Sequence, residues 1–116
     1  MLYSQRQPLK IRQNNMTFLF IAVDGTVVTP VASGLDSKFV SSVQDLGAGN
    51  YKINFKDKAR RALIPVGHEV FTDGLYLRVT AVNTESVTVL CKTFAGVATD
   101  ASFNICLAYH EDSTLY

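Results

Sequence analysis

The chain has 116 residues, which is enough to bury the core of one domain and too few for two. Because 47% of the residues are hydrophobic, the composition excludes a disordered chain. The formal net charge of +1 provides no overall field that would draw the protein to nucleic acid or to an anionic membrane, so any such binding would have to be local.

Residues 1–15 are predicted to form an extended N-terminal arm. They carry three basic side chains, Arg6, Lys10 and Arg12, and no acidic one, and they show no strong periodicity. Two placements of this arm are open: on its own domain or on a neighbouring subunit. The neighbouring subunit is favoured, because so polar a segment is hard to order without a partner.

The first strand is predicted at residues 17–23, where both alternating sets of side chains are apolar. Phe18 and Phe20 fall on one face and Ile21 on the other, so this strand needs cover on both faces. The basic arm and the apolar run together resemble a signal peptide. Asp24 ends the run too early for a membrane span, however, and we interpret the segment as a strand.

A tight hairpin is predicted after this strand. Asp24-Gly25 is a dipeptide typical of a type I′ turn, since glycine tolerates positive φ. The return strand would cover residues 26–31, and Pro30, which lacks an amide hydrogen, would place it at a sheet edge.

Two further strands are predicted at residues 39–44 and 51–55, with a turn at 46–50 between them. In the first, Phe39 and Val43 are candidates for the core. The second is the clearest half-buried strand of the chain, because apolar and polar residues alternate throughout. Its inward residues are Tyr51, Ile53 and Phe55.

A charged loop at residues 56–61 leads into an edge strand at 63–71. Arg60 and Arg61 are candidates for contact with an acidic patch on another protein, with a solvated loop as the simpler interpretation. Nucleic acid is not the expected partner, because the neighbouring aromatic side chains have inward parity and the basic ones outward parity.

Residues 75–109 contain three alternating runs separated by turn-like breaks at 83–86 and 96–100. We predict a three-stranded antiparallel meander here. Its second face would carry Tyr76, Leu90 and Phe94, and soluble monomers rarely leave so much apolar area open, which favours an assembly surface.

Taken together, the pattern predicts an all-β protein: an antiparallel β-sandwich, jelly-roll or immunoglobulin-like, of about eight short strands. The arm would occupy residues 1–15, the sandwich 16–110 and a polar C-terminal tail 111–116.

No catalytic, cofactor or metal site is expected. His68 and His110 are the only histidines, and neither has a second ligand nearby at metal-binding spacing. Gly47 and Gly49 precede a predicted strand rather than the helix that a phosphate-binding loop requires. The serines lack a nucleophile-elbow sequence.

The two cysteines are expected to remain free thiols. By strand parity, Cys91 and Cys106 point to opposite faces, so their Cβ atoms should diverge and a disulfide between them is not predicted. Two free thiols fit a chain that folds in a reducing cytoplasm.

Several short motifs resemble, in order and spacing, a small β-domain that recurs in virion proteins of tailed bacteriophages. The resemblance covers residues 39–109 and rests on alternation after a Gly-x-Gly turn and on three later motifs. These are Gly47-x-Gly49-x-Tyr51-x-Ile53-x-Phe55, Ala59-Arg60-Arg61-Ala62, Val79-Thr80-Ala81-Val82 and Gly96-Val97-Ala98-Thr99-Asp100-Ala101-Ser102-Phe103.

This resemblance implies a non-enzymatic virion structural protein, assembled in the host cytoplasm. In larger relatives such a domain ends a fibre or tail protein, whereas here it makes up most of the chain. That difference favours a capsid decoration or cement protein. We expect it to bind the major capsid protein as a dimer or trimer. The alternative is a fibre or tail-associated module that binds a host receptor or carbohydrate.

Overall fold

The computed structural model describes residues 16–59 and 61–110. Within these residues, eight strands form two four-stranded antiparallel sheets, and the predicted β-sandwich is confirmed. The strands are β1 Met16–Asp24, β2 Val31–Ser33, β3 Val40–Gly47, β4 Asn50–Phe55, β5 Ile64–Val70, β6 Leu75–Val82, β7 Ser86–Thr93 and β8 Ser102–His110.

The first sheet has the strand order β2-β1-β8-β5 and the second has β3-β4-β7-β6. Hairpins join β1 to β2, β3 to β4 and β6 to β7, while the other four connections cross from one sheet to the other. The immunoglobulin arrangement, with strands ABED in one sheet and CFG in the other, is a different order.

The core lies between the two sheets and is built by alternation along the central strands. In the middle of β1, β7 and β8 and throughout β4, every second residue points inward and is almost fully buried, as the period of two requires. These residues are Leu19, Ile21, Val23, Tyr51, Ile53, Phe55, Val87, Val89, Cys91, Phe103, Ile105 and Leu107. The predicted inward position of Tyr51, Ile53 and Phe55 is therefore confirmed.

The predicted meander over residues 75–109 is correct for its first hairpin and wrong for its third strand. β6 and β7 pair, but β8 lies in the first sheet between β1 and β5. Alternation determines which side of a strand is buried but not which strand lies beside it. The connection at residues 94–101 is long enough to cross the sandwich, and it does so.

The predicted type I′ turn at Asp24-Gly25 and the return strand at 26–31 are also wrong. Gly25 does not have a positive φ, and β2 begins only at Val31. The Asp24 carboxylate instead accepts hydrogen bonds from the backbone N–H of Thr26 at 3.1 Å and from its hydroxyl at 2.7 Å. A side-chain turn of this kind competes with a tight hairpin and opens a longer loop.

Phe39 is not an inward residue of β3, contrary to the prediction. It ends a short 3-10 turn, Ser37–Phe39, and its side chain is 39% exposed. Val40 packs against the core in its place, and the predicted core contact of Val43 is confirmed.

Candidate interaction surfaces

The outer face of the first sheet is mostly apolar. Three rows of side chains cross β1, β8 and β5 in register on this face. The first row is Phe18, Ala108 and Ile64; the second is Phe20, Cys106 and Gly67; the third is Ala22, Asn104 and Glu69. A charged side chain appears only in the third row.

The large side chains on this face are open to solvent. Phe18 is 48% exposed and Phe20 is 52% exposed, because the alternation that buries their neighbours in β1 directs both rings outward. Two other exposed aliphatic residues complete the surface, which we call the phenylalanine face. It consists of Phe18, Phe20, Leu35 and Ile64.

A groove of about 310 Å³ lies on the same side of the first sheet. Ala22, Cys106 and Gly67 contribute small residues to its lining, and Phe20 and Leu35 contribute larger ones. A Cβ atom built on Gly67 would meet no atom within 4 Å, so the space above this residue is open. The groove can therefore receive an apolar side chain from a partner.

A second exposed surface is the aromatic pair Tyr76 and Phe94 on the outside of the second sheet. Their ring centroids are 6.0 Å apart and the planes differ by 16°, a stacked arrangement. Phe94 is 80% exposed and Tyr76 is 38% exposed. Lys92 pairs with Tyr76 across the strands, and the exposed Arg78 pairs with Leu90, so basic groups flank the rings.

A buried hydrogen-bond network fixes the loops at one end of the sandwich. The Tyr51 hydroxyl lies 2.8 Å from the carbonyl oxygen of Gly25 and 3.0 Å from Oδ1 of Asp100, and it accepts the amide hydrogen of Ala101 at 3.3 Å. Asp100 Oδ1 also accepts the Gly49 amide hydrogen at 2.8 Å. The side chains of Tyr51 and Asp100 thereby join three loops.

Burial raises the pKa of the Tyr51 hydroxyl well above its ordinary value. The group therefore keeps its proton, and this single proton can be donated to the Gly25 carbonyl or to Asp100 but not to both at once. The arrangement suits a structural role better than proton transfer, because Tyr51 is fully buried.

The two thiols lie in different surroundings. Cys91 is fully buried in the core, and burial raises the pKa of its thiol to about 11. Cys106 is half-buried on the outer face of the first sheet, where burial, and secondarily the Asp36 carboxylate, raises its pKa. Raised pKa values leave both thiols mostly protonated and weakly nucleophilic at neutral pH.

Residues 16–59 and 61–110 contain no group of three or more His, Cys, Asp or Glu side chains placed to hold a metal ion. In the same part of the chain, no helix has the length and apolar character needed to cross a membrane.

The predicted interface residues are distributed over several places. Arg6, Lys10, Arg12 and Arg60 lie outside the described residues, and Arg61 is exposed between β4 and β5. Phe18 and Phe20 lie together on the phenylalanine face, Tyr76 and Phe94 form the aromatic pair, and Leu90 is half-buried.

Ile21 requires a correction as an interface candidate. Its side chain is only 2% exposed and belongs to the core, because it has the opposite parity to the two phenylalanines of β1. It packs within the sandwich and is not available to a partner.

Leu35 and the contacts of Tyr51 were missed by the sequence-based predictions. Leu35 is an isolated apolar residue in a polar loop, which is a weak sequence signal, and its side chain is 78% exposed in the structure. The Tyr51–Asp100 contact spans 49 positions, and no local pattern indicates it.

Comparisons of this chain with known protein families, with curated proteins and with solved structures found no match.

Proposed function

We propose that this protein is a non-enzymatic structural component of a bacteriophage virion that docks onto larger shell subunits as a decoration or cement protein. The phage assignment rests on the sequence resemblance over residues 39–109. The docking rests on one observation, the phenylalanine face, where two phenyl rings and two aliphatic side chains remain exposed on one side of the sandwich. An apolar patch of this kind is typical of protein–protein contact sites.

The size of the expected effect follows from the two phenyl rings. Full burial of a Phe side chain contributes about 1.5–3 kcal/mol, and Phe18 and Phe20 each keep about half of their area exposed. A partner that covers both rings would therefore gain about 2 kcal/mol from them. The groove beside Phe20 offers a place for one side chain of the shell subunit. When many symmetric copies bind the same shell, these modest contributions to the binding free energy add up.

The charged connection between β4 and β5 fits the same proposal. Arg61 is exposed and can pair with an acidic group of the shell subunit. Such a rim contact affects association rate and orientation more than affinity. The phenylalanine face would supply most of the binding free energy.

Co-sedimentation with shells that lack this protein tests the proposal. A variant with Phe18→Ser and Phe20→Ser should lose about 2 kcal/mol of binding free energy. This loss corresponds to roughly thirtyfold weaker binding to the shells. Both substitutions are on the outer face, so the urea unfolding midpoint should change little. A midpoint near that of the unchanged protein would confirm that the variant remains folded.

The matched control is Val28→Ser. Val28 is 97% exposed in the loop between β1 and β2, so this change removes an exposed apolar side chain at a distance from the docking face. Shell occupancy should be unchanged. Equal occupancy for the double variant and the control would remove the phenylalanine face as the docking site.

The aromatic pair favours a second candidate function, a recognition module that binds carbohydrate. Stacked, exposed rings with polar neighbours offer a platform for the apolar side of a sugar ring, and Tyr76, Phe94 and Lys92 provide both components. A glycan-array screen distinguishes the candidates. Clear hits that disappear with Phe94→Ser, together with no binding to shells, would replace the decoration proposal.

A further inference from the structure

The outer face of the second sheet carries positive charge and no negative charge at its paired positions. Four rows of directly opposed residues cross the described strands on this face. The rows are Ser42, Asn54 and Ser86; Gln44, Lys52, Thr88 and Ala81; Gly47, Asn50, Leu90 and Arg78; and Lys92 and Tyr76. Only Lys52, Arg78 and Lys92 among them are charged, and all three are basic. We call this surface the basic face.

The three basic side chains reach the solvent. Arg78 is exposed, and Lys52 and Lys92 are half-buried. A half-buried lysine lays its aliphatic stem on the surface of the protein and keeps its ammonium group in water. The basic face is therefore a local source of positive charge on a chain whose formal net charge is only +1.

The aromatic pair lies at the end of this charged surface. Tyr76 is directly opposite Lys92, and Arg78 follows two residues later on the same face of β6. Diagonal neighbours of this kind lie about 7–8 Å apart. Phe94 stacks on Tyr76 and is 80% exposed. An open ring and two cations are thus within reach of one small ring that carries a negative group.

We infer that the basic face binds an acidic polysaccharide. One sugar ring stacks on the aromatic pair, and acidic groups along the polymer pair with Arg78, Lys92 and Lys52. This inference rests on the carbohydrate-binding candidate described above and adds the charge of the ligand. A neutral glycan would leave the three basic side chains without a partner of opposite charge, whereas an acidic one uses them.

The position of Lys52 indicates a polymer rather than a single sugar. Lys52 lies two strands away from β6, and its row is four residues from the row of Tyr76. With about 4.8 Å between strands and about 3.4 Å per residue, the Cα atoms of Lys52 and Tyr76 are about 17 Å apart. One ring on the aromatic pair cannot span this distance, so a ligand that uses all three cations has several rings.

The neutral side chains of the basic face favour carbohydrate over nucleic acid. Gln44, Asn50, Asn54 and Thr88 both donate and accept hydrogen bonds, as the hydroxyl groups of a sugar do. Single-stranded nucleic acid is usually bound by a groove of cations that follows the phosphates and by several aromatic rings for successive bases. The described part of this face has three cations and one aromatic pair, which suits a ligand with fewer charges.

The charge of the ligand is tested with polymers that exist in an acidic and a neutral form. Polygalacturonate and hyaluronate carry carboxylates, and their methyl esters have the same rings without the charge. Biolayer interferometry should show at least one acidic polymer binding at least tenfold more tightly than its ester. This difference should shrink between about 0.1 M and 1 M salt, because salt screens exposed charges.

Arg78→Gln tests the position of the site. It removes one charge beside the aromatic pair and should weaken binding of the acidic polymer about fivefold, with binding of the ester unchanged. Because Arg78 is exposed on the outer face, the urea midpoint should change little.

The matched control is Lys58→Gln, which removes the same charge from an exposed residue after β4. The next residue, Ala59, bonds to Thr84 in the turn between β6 and β7, at the end of β6 opposite to Tyr76. Affinity for the acidic polymer should therefore be unchanged. Equal weakening by the two variants would show a general attraction between charges and would overturn the basic face as the site.

The other outcomes separate this inference from the candidate function on which it rests. Equal affinity for the acidic polymers and their esters, lost in Phe94→Ser, would keep the carbohydrate candidate and overturn the charge of its ligand. No binding to any of the four polymers would overturn the inference, and hits on the glycan array would then show whether the carbohydrate candidate survives. Tighter binding to single-stranded oligothymidylate than to the polysaccharides would assign the basic face to nucleic acid.

Discussion

At the residue scale, Tyr51 has the most distinct structural role. Among the described residues it is the largest fully buried side chain, and its hydroxyl contacts two segments that are distant in sequence, the loop after β1 and the connection before β8. Asp100 of that connection also binds the amide of Gly49 in the turn before β4. A buried hydroxyl is costly unless it is hydrogen-bonded, and here its donor and acceptor functions are both used. Tyr51 therefore fixes the geometry of the loops at this end of the sandwich.

Tyr51→Phe tests this role. The change leaves the Ala101 amide and one carbonyl or carboxylate acceptor without their partner, so unfolding free energy should fall by about 1–3 kcal/mol. The measurement is urea denaturation, with a lower midpoint and an unchanged slope.

Tyr76→Phe is the control, because it removes a hydroxyl from an exposed ring. Its effect should stay within about 0.5 kcal/mol. If the two variants unfold at the same midpoint, the Tyr51 hydroxyl does not hold the loops together.

At the element scale, the turn between β3 and β4 depends on Gly49. Its φ is +66°, and an added Cβ would meet the Cys91 carbonyl oxygen and lie 2.8 Å from the Thr99 nitrogen. The same residue accepts from the Cys91 amide and donates to Asp100. The turn thus sits tightly against β7 and the connection that follows it.

A matched pair of glycine substitutions separates backbone conformation from crowding. Gly74 has a φ of +81° and open space around its Cβ position, so Gly74→Ala should cost only about 1 kcal/mol for the left-handed conformation. Gly49→Ala adds backbone clashes and should cost about 2–4 kcal/mol. Urea midpoints of the two variants measure the difference, and equal losses would show that the turn can move away from β7.

β1 shows how one element combines two roles. Leu19 and Ile21 stabilise the core, while Phe18 and Phe20 on the other face remain exposed. The polar residue that alternation would ordinarily place on a solvent-facing side is replaced by phenylalanine at both positions. This departure in a single strand supports the docking proposal.

At the scale of the whole molecule, the sandwich has two outer faces of different character. The first sheet presents the phenylalanine face, whereas the second presents polar strands with one aromatic pair at their end. The two candidate functions therefore use opposite sides of the protein. Substitutions on one side should leave the other intact, which is why the shell-binding and glycan experiments can be interpreted separately.

The sequence by itself determined the class of fold, most strand positions and their buried faces, because alternation is a local property of an extended chain. β6 coincides with its predicted residues, and β4 and β7 differ from theirs only at the ends. The apolar character of both faces of β1 was also predicted, although the sequence did not indicate that the face with Phe18 and Phe20 would be the exposed one.

Only the tertiary structure decided which strands are neighbours and which surfaces result. It moved β8 into the first sheet, opened the loop after Asp24 and joined Tyr51 to Asp100. The physical reason is that strand pairing and side-chain networks connect residues far apart in sequence, and their free energy depends on the whole packed arrangement rather than on any local pattern.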